Sequence, residues 1–247
     1  MTSVLSATGA YTIREYFDPI PSNLDGSFIE FAEKLERDAR VEDHPFFSAA
    51  KRSRQLLVLW AGQEAIVTNP FSQILFRVIG SIRNVHVRSL LLPVVGGEHS
   101  AVRKGIAEKS HPWLIWRLCV SLGLSEQEIT PTKAVVEFIH ALEATEENPM
   151  RALGALGVGN EQMLLAEYRA VEACFDMACP DADYRDFLHA NIAEDETHTK
   201  LISNAAIALT ACGYQASDYI IGARQGVAAR IQYYDSLLGE MPPTATL

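Results

Sequence analysis

Residues 189–198 read HANIAEDETH, and they fall in a long segment of helical period. Two histidines, one aspartate and two glutamates crowd into these ten residues. Asp195 and His198 are three residues apart, so they project from adjacent turns on one side of a helix. Asn191 lies on the same stripe. His189 does not: in a regular helix it points about 180° away from His198. Either an irregularity in the helix brings His189 round, or Asn191 is the residue that faces what Asp195 and His198 face. Glu194 and Glu196 are expected to face solvent. Carboxylates and imidazoles sharing a helix face are how helical proteins hold iron or manganese.

The same helical period runs outward in both directions, with no alternating strand pattern. Residues 1–24 read as irregular, with Pro19 and Pro21 as breakers. Phe28, Phe31, Leu35 and Ala39 form the apolar stripe of a helix over 27–41. After the turn EDHPFF, helices are expected over about 48–68, 71–82 and 84–102, the last weakened at Gly96-Gly97. Ser110 caps the next helix, with His111 and Pro112 in its first turn. Thr130 is expected to cap a helix beginning at Pro131. GALGVGN reads as a glycine-rich connector into a helix over 160–178. Pro180 and Asp181 are expected to open the long helix, Gly213 to end it, and a last helix to cover 216–239. Short connections and the lack of a composition break predict one all-α domain over 25–247.

Composition narrows the function. The 247 residues are 48% hydrophobic and 21% charged, which suits a soluble globular chain with a sizeable core. A net charge of −10 and no basic face predict no nucleic-acid partner. No apolar run reaches the ~18 residues of a membrane span, and the N-terminus lacks a signal-peptide pattern. Cys119, Cys174, Cys179 and Cys212 show no CxxC spacing and sit in apolar helical runs. Reduced cysteines and a cytoplasmic setting are therefore expected.

Outside the opening segment, the ligand-type residues are Glu98, His99, Glu108, His111 and Glu161. Several are embedded in apolar or small-residue stretches. Glu98 follows LLPVVGG, and Glu161 is followed closely by Met163, Leu164 and Leu165. A carboxylate held among apolar side chains needs a cation or hydrogen-bond partners. Singly, each has an ordinary reading: Glu98 at a frayed helix end, Glu161 on a helix macrodipole, His189 in a surface ion pair. Their joint occurrence points to metal, and oxygen with imidazole ligands suits iron or manganese better than structural zinc.

The order of these segments resembles the haem-oxygenase-like di-iron oxidases, which share their fold with thiaminase II and pyrroloquinoline-quinone synthase. EDHPFF, RSLLLPVVGGEH, SHPWLIWRLCVSLGL, GNEQMLLAEY, DYRDFLHANIAEDETH and GARQGVAARIQYYDSLL carry the resemblance from about residue 42 onward. It implies a single haem-oxygenase-like bundle of about seven to nine helices. It also implies a ligand set of Glu98, His111, Glu161, His189, Asp195 and His198. Glu108 is the alternative first carboxylate, and Asn191 stands where the family's closing motif has its first histidine. The implied cofactor is two iron ions, with manganese as the alternative, and O2 is the co-substrate. The implied activity is oxidation of a small carboxylate- or amine-bearing molecule by desaturation, C–C cleavage or N-oxygenation. Arg103, Arg117 and Arg169 are candidates to clamp a substrate carboxylate. A homodimer is left open as the commonest assembly.

Three rival readings make distinct demands. A metal-free enzyme of the same fold, like thiaminase II or the quinone-cofactor synthase, needs Cys119 or Cys174 activated by a base or a metal-free route to O2. A ferritin-like carboxylate iron protein expects Glu-x-x-His on two helices, which Glu108 to His111 and Asp195 to His198 imitate. A helical binding module without enzymatic activity expects all the acids on the surface.

Overall fold

The computed structural model describes residues 25–99 and 109–240. The irregular segment expected over 1–24, and with it Glu108 and Arg103, lies outside the described residues. The described residues are helical throughout, with no strand. In chain order the helices are α1 (Ser27–Ala39), α2 (Pro45–Ala50), α3 (Arg54–Ser81), α4 (Val85–Glu98), α5 (His111–Ser121), α6 (Lys133–Glu143), α7 (Pro149–Leu156), α8 (Met163–Ala178), α9 (Arg185–Ala211) and α10 (Ala216–Gly239).

Local capping chemistry sets half of these helix starts. Asn84 Oδ1 accepts from the backbone N–H of His86 and Val87, and Asn148 Oδ1 from Met150 and Arg151. These side chains satisfy first-turn donors that have no partner within the helix. In the EDHPFF turn, His44 does the same: its Nδ1 accepts from Phe46 N–H at 3.1 Å and opens α2. Gly213, at φ +89°, takes up the left-handed conformation after α9.

Several sequence expectations are corrected by packing. The break expected near Pro70 is absent, and α3 runs through it from a start at Ser53, whose Oγ accepts from Leu56 N–H. Burial of both flanks of the proline, from Val67 and Thr68 to Phe71 and Ser72, holds the helix together. The cap of α6 is Thr132 and not Thr130. Gln63 fixes that choice, because its side chain donates to Thr130 O and accepts from Thr132 N–H. GALGVGN is not a connector: it lies in α7 and in a π-helical stretch, Gly157–Gln162, that runs directly into α8. Its glycines serve close packing. A Cβ at Gly154 would overlap the Tyr219 carbonyl of α10, and one at Gly222 would overlap the Arg151 carbonyl of α7. Two helices crossing at backbone contact read in sequence like a flexible loop.

The last helix is the spine of the bundle. α10 packs against α1, α6, α7 and the π segment, while α9 packs on α4, α5 and α8. The buried stripe of α10 is Tyr219, Gly222, Ala223, Gly226, Val227, Arg230, Tyr233, Tyr234 and Leu237. One member is charged. Arg230 is fully buried, and its Nε donates to Glu167 Oε2 at 2.7 Å. Its Nη2 donates to Glu167 Oε1 and, at 3.1 Å, to Glu64 Oε1. Tyr168 and Tyr233 donate to Glu64 as well, and the guanidinium lies about 5 Å from the ring centroids of Phe138 and Tyr233. This cluster ties α3, α8 and α10 together in the core.

Arg230→Met leaves Glu64 and Glu167 buried without a counter-charge. It is expected to lower the unfolding free energy by roughly 3–5 kcal/mol, measured by urea denaturation. Stability equal to wild type would show that the network is not the tie described.

Candidate metal centre

Four elements converge beside that core. Glu98 is the last residue of α4, and His111 the first of α5. Glu161 lies in the π segment, and Asp195 and His198 lie in the middle of α9. All five are buried, at 4% exposure or less. One donor atom each from Glu98, Glu161 and His198 lies within 4.8 Å of the other two. His198 Nδ1 is 3.2 Å from Glu161 Oε2 and 3.8 Å from Glu98 Oε1. The other Glu98 oxygen, Oε2, is 3.2 Å from His111 Nδ1. Glu98 therefore turns one oxygen to each of two histidines on different helices.

The electrostatics of the cluster are unbalanced. Burial and the neighbouring Glu161 and Glu98 push the Asp195 carboxyl well above its ordinary range. Burial opposes charge on His111, but Glu98 and Glu194 raise its pKa to about 10. His198 is also raised: burial disfavours its cation, and Glu161 and Glu98 overcome that. For Glu98 burial acts upward, and the two histidines still hold it below the usual carboxylate range. Glu98 also sits at a helix C-terminus, where the backbone carbonyls add negative potential. Acids thus outnumber imidazoles in a dry pocket, which is a demand for cations.

The buried polar atoms agree with that demand. Among the described residues, Glu161 Oε1 and Asp195 Oδ2 are buried and make no hydrogen bond, and His111 Nε2 has its 3.4 Å contact to Glu194 alone. A buried polar atom without a partner is costly. Carboxylate oxygens and imidazole nitrogens left over in one place are the donor set of an iron or manganese site. The residues present fit such ions.

The segment 189–198 divides cleanly. α9 is regular along its whole length, so no irregularity brings His189 round. Its side chain is 57% exposed and ion-paired with Glu172, Nε2 to Oε1 at 2.7 Å. His189 is therefore not brought to the cluster. The irregular helix is the one that carries Glu161, and a π turn there is the kind of local widening found at functional sites. Asn191 is buried on the stripe of Asp195 and His198, and its amide donates to Phe187 O at 2.8 Å. Glu196 is exposed and pairs with Lys200, as expected.

Glu194 departs from expectation. It lies 3.4 Å from His111 Nε2 through Oε2, and its side chain is only 14% exposed. Gly97 admits it. A Cβ at position 97 would lie 2.9 Å from Glu194 Oε2 and 2.8 Å from His198 Cε1. The Gly96-Gly97 pair, read as a weak point of the helix, marks the place where α4 and α9 approach around the cluster. That glycine pair directly before Glu98 was the signal available in sequence.

Other expectations about chemistry change as well. Arg117 is committed to Asp183 and Asp186 at the surface, and Arg169 is exposed. The buried arginine is Arg230, which the sequence reading passed over although it stands on the apolar stripe of α10. The thiols of Cys119 and Cys174 donate to the carbonyls of Ala61 and Phe47. Burial pushes them up, to about 12 and about 11, which is the reverse of nucleophile activation. Cys179 is buried but Cys212 is exposed, so only three of the four cysteines are interior. α5 begins at His111 itself.

A family model described as iron-containing redox enzyme matches residues 58–231. No curated protein matches the sequence. Among solved structures, a TenA homologue from Pseudomonas syringae pv. tomato is similar at TM-score 0.69 and 10% identity, covering 90% of this chain and 98% of its own. A CADD-like protein of unknown function from Nostoc punctiforme gives 0.67 at 16% identity, with 87% and 99% covered. A domain of unknown function with a heme oxygenase-like fold from Shewanella denitrificans gives 0.65 at 16% identity, with 89% and 94% covered. At these identities the likeness is one of fold, and that fold is the haem-oxygenase-like bundle.

Elemental analysis of iron-loaded protein is expected to separate the two histidines of the opening segment. His189→Ala should retain the wild-type metal content, whereas His198→Ala should lose at least one ion. Equal metal loss in both variants would contradict the division of the segment.

Proposed function

We propose, from the premise that the chain belongs to the family of iron-containing redox enzymes, that it is a non-haem di-iron oxidase or oxygenase. Its substrate in this reading is a small molecule bearing a carboxylate or an amine. The observation that carries the reading is Glu98, whose two oxygens face His111 and His198 separately. A carboxylate presented to two imidazoles in this way is suited to span two ions. Glu161, Asp195 and His198 would hold one ion, and His111 would hold the other. When bound, two ferrous ions supply the electrons that activate O2.

The chain's own residues do the rest. Glu161 Oε2 and Glu98 Oε1 both face Nδ1 of His198 and fix the orientation of that ring. Glu98 Oε2 likewise faces Nδ1 of His111, and Glu194 Oε2 lies 3.4 Å from Nε2 on the other side of that ring. Val94 and Val95 on α4, Leu114 and Ile115 on α5 and Ile202 on α9 lie about one turn from the ligands and are buried. These apolar neighbours keep water away from the ligands, so the site holds charge in a low-dielectric surrounding. The buried acids also weigh against a surface-acid binding module, and the raised thiols weigh against a cysteine nucleophile.

The test is iron uptake followed by reaction with O2. Protein loaded anaerobically is expected to hold about two irons per chain, and mixing with O2 should produce a transient absorbance and consume O2. Glu98→Ala, which removes the shared carboxylate, should abolish the transient and cut O2 consumption by at least about 100-fold. A wild-type chain that binds no iron, or binds it and leaves O2 untouched, would overturn the reading.

A further inference from the structure

A row of buried, oxidisable side chains leads away from the cluster and has no part in the ligand set. It starts at Tyr168 on α8, which lies within electrostatic reach of Asp195. The Tyr168 ring stands edge-on to Trp60, with centroids 6.1 Å apart. Trp60 Nε1 donates to the Tyr234 hydroxyl at 3.2 Å. The Tyr234 ring lies 5.7 Å from that of His44, and His44 Nε2 is 3.1 Å from Asp235 Oδ1. Tyr168, Trp60 and Tyr234 are buried, whereas the Asp235 side chain is 70% exposed. The row therefore runs from the centre to the surface.

Its chemistry differs from that of the apolar core around it. Phenol and indole give up an electron far more readily than the side chains of Phe, Leu or Val. An oxidised phenol is a strong acid, so the electron leaves easily only where the proton has an acceptor. Each phenol of the row has one. Tyr168 donates to Glu64 Oε1 at 3.1 Å, and Tyr234 is hydrogen-bonded to Glu167. A branch toward Tyr184 is interrupted by Phe175, which stands between Tyr184 and Trp60.

We infer that Tyr168, Trp60 and Tyr234 form a route that carries electrons from the surface at His44 and Asp235 to the metal centre when O2 has reacted there and no substrate is bound. The inference rests on the two-metal reading above, in which O2 is the oxidant. Tyr168 loses one electron to the oxidised centre and its phenol proton to Glu64. Trp60 then returns one electron to Tyr168, which takes its proton back from Glu64, while Trp60 keeps its N–H on the Tyr234 hydroxyl. Tyr234 gives one electron to Trp60 and its proton to Glu167. A one-electron donor in solution, such as ascorbate or a thiol, restores Tyr234, and the proton returns from Glu167. The net change is one electron moved from the donor to the centre. Neutral phenol and indole resist weak oxidants, so the route opens only when the centre is strongly oxidising and spares the ligands from oxidation in its place.

The full chain, loaded anaerobically with ferrous iron and mixed with O2 in the absence of substrate, tests this by rapid-freeze electron paramagnetic resonance with and without ascorbate. The wild type is expected to show a tyrosyl signal that narrows with ring-deuterated tyrosine and is discharged by ascorbate. Tyr168→Phe keeps the ring and leaves Arg230 on Glu64, so it should bind iron as the wild type does and lose the signal. Trp60→Phe and Tyr234→Phe should slow the discharge by ascorbate at least about tenfold. Tyr184→Phe, off the route, should behave as wild type. If the three rings only fill the core, their variants lower the melting temperature and leave the signal and its decay unchanged. That result, or a wild type that consumes O2 without a tyrosyl signal, overturns the inference and leaves the two-metal reading standing. A wild type that binds no iron or leaves O2 untouched overturns that reading, and the route falls with it.

Discussion

Like charges crowded into a dry interior are the constraint on which this structure turns. The bundle buries two groups of carboxylates, and it treats them differently. Glu64 and Glu167 are met by Arg230, which brings a permanent charge and several donors from α10. Among the described residues, Glu98, Glu161 and Asp195 are met by His111 and His198, with Glu194 adding a further acid at the edge. The first group is balanced within the protein. The second is not, and its leftover buried oxygens and nitrogen are what a fold tolerates when something else supplies the positive charge.

That imbalance is built by backbone choices distant from each other in sequence. Glu98 comes from the end of one helix, His111 from the start of the next, and Glu161 from a π turn. Gly97 removes the side chain that would otherwise separate α4 from α9. The close α7–α10 crossing at Gly154 and Gly222 holds the chain leading into the π segment firmly on the spine. Arg230 secures α8, directly downstream of Glu161, by its bonds to Glu167. The balanced cluster thus fixes the scaffold, and the unbalanced one is left as the site. Tyr168 sits between them, hydrogen-bonded to Glu64 and close enough to feel the charge of Asp195.

The segments and their helical class were legible because apolar periodicity and capping residues are local signals. The span of α10 and the end of α9 before Gly213 follow from such signals, and so does the common face of Asp195 and His198, whereas α9 starts at Arg185 and not at Pro180 and Asp181. Proline and glycine misled where tertiary contacts overrode local preference. Pro70 lies within α3 because its flanks are buried, and GALGVGN is helical because its glycines let two backbones touch. Arg230 and Glu194 share a related cause: a charged residue in a helix reads as solvent-facing until the partner opposite is known.

By itself, the sequence determined an all-helical chain and a set of acids and histidines of iron-ligand type, of which Asp195 and His198 must share a face. Helix geometry was sufficient for that, since residues three apart on a helix are neighbours whatever packs on them. Only the tertiary structure decided membership of the cluster. It turned His189 out to Glu172, kept Asn191 in and drew Glu194 inward past Gly97. It also set the two oxygens of Glu98 between histidines that are far apart in the chain. Those outcomes depend on how closely α4, α5, α9 and the π segment approach, a distance set by the side chains of every partner at once.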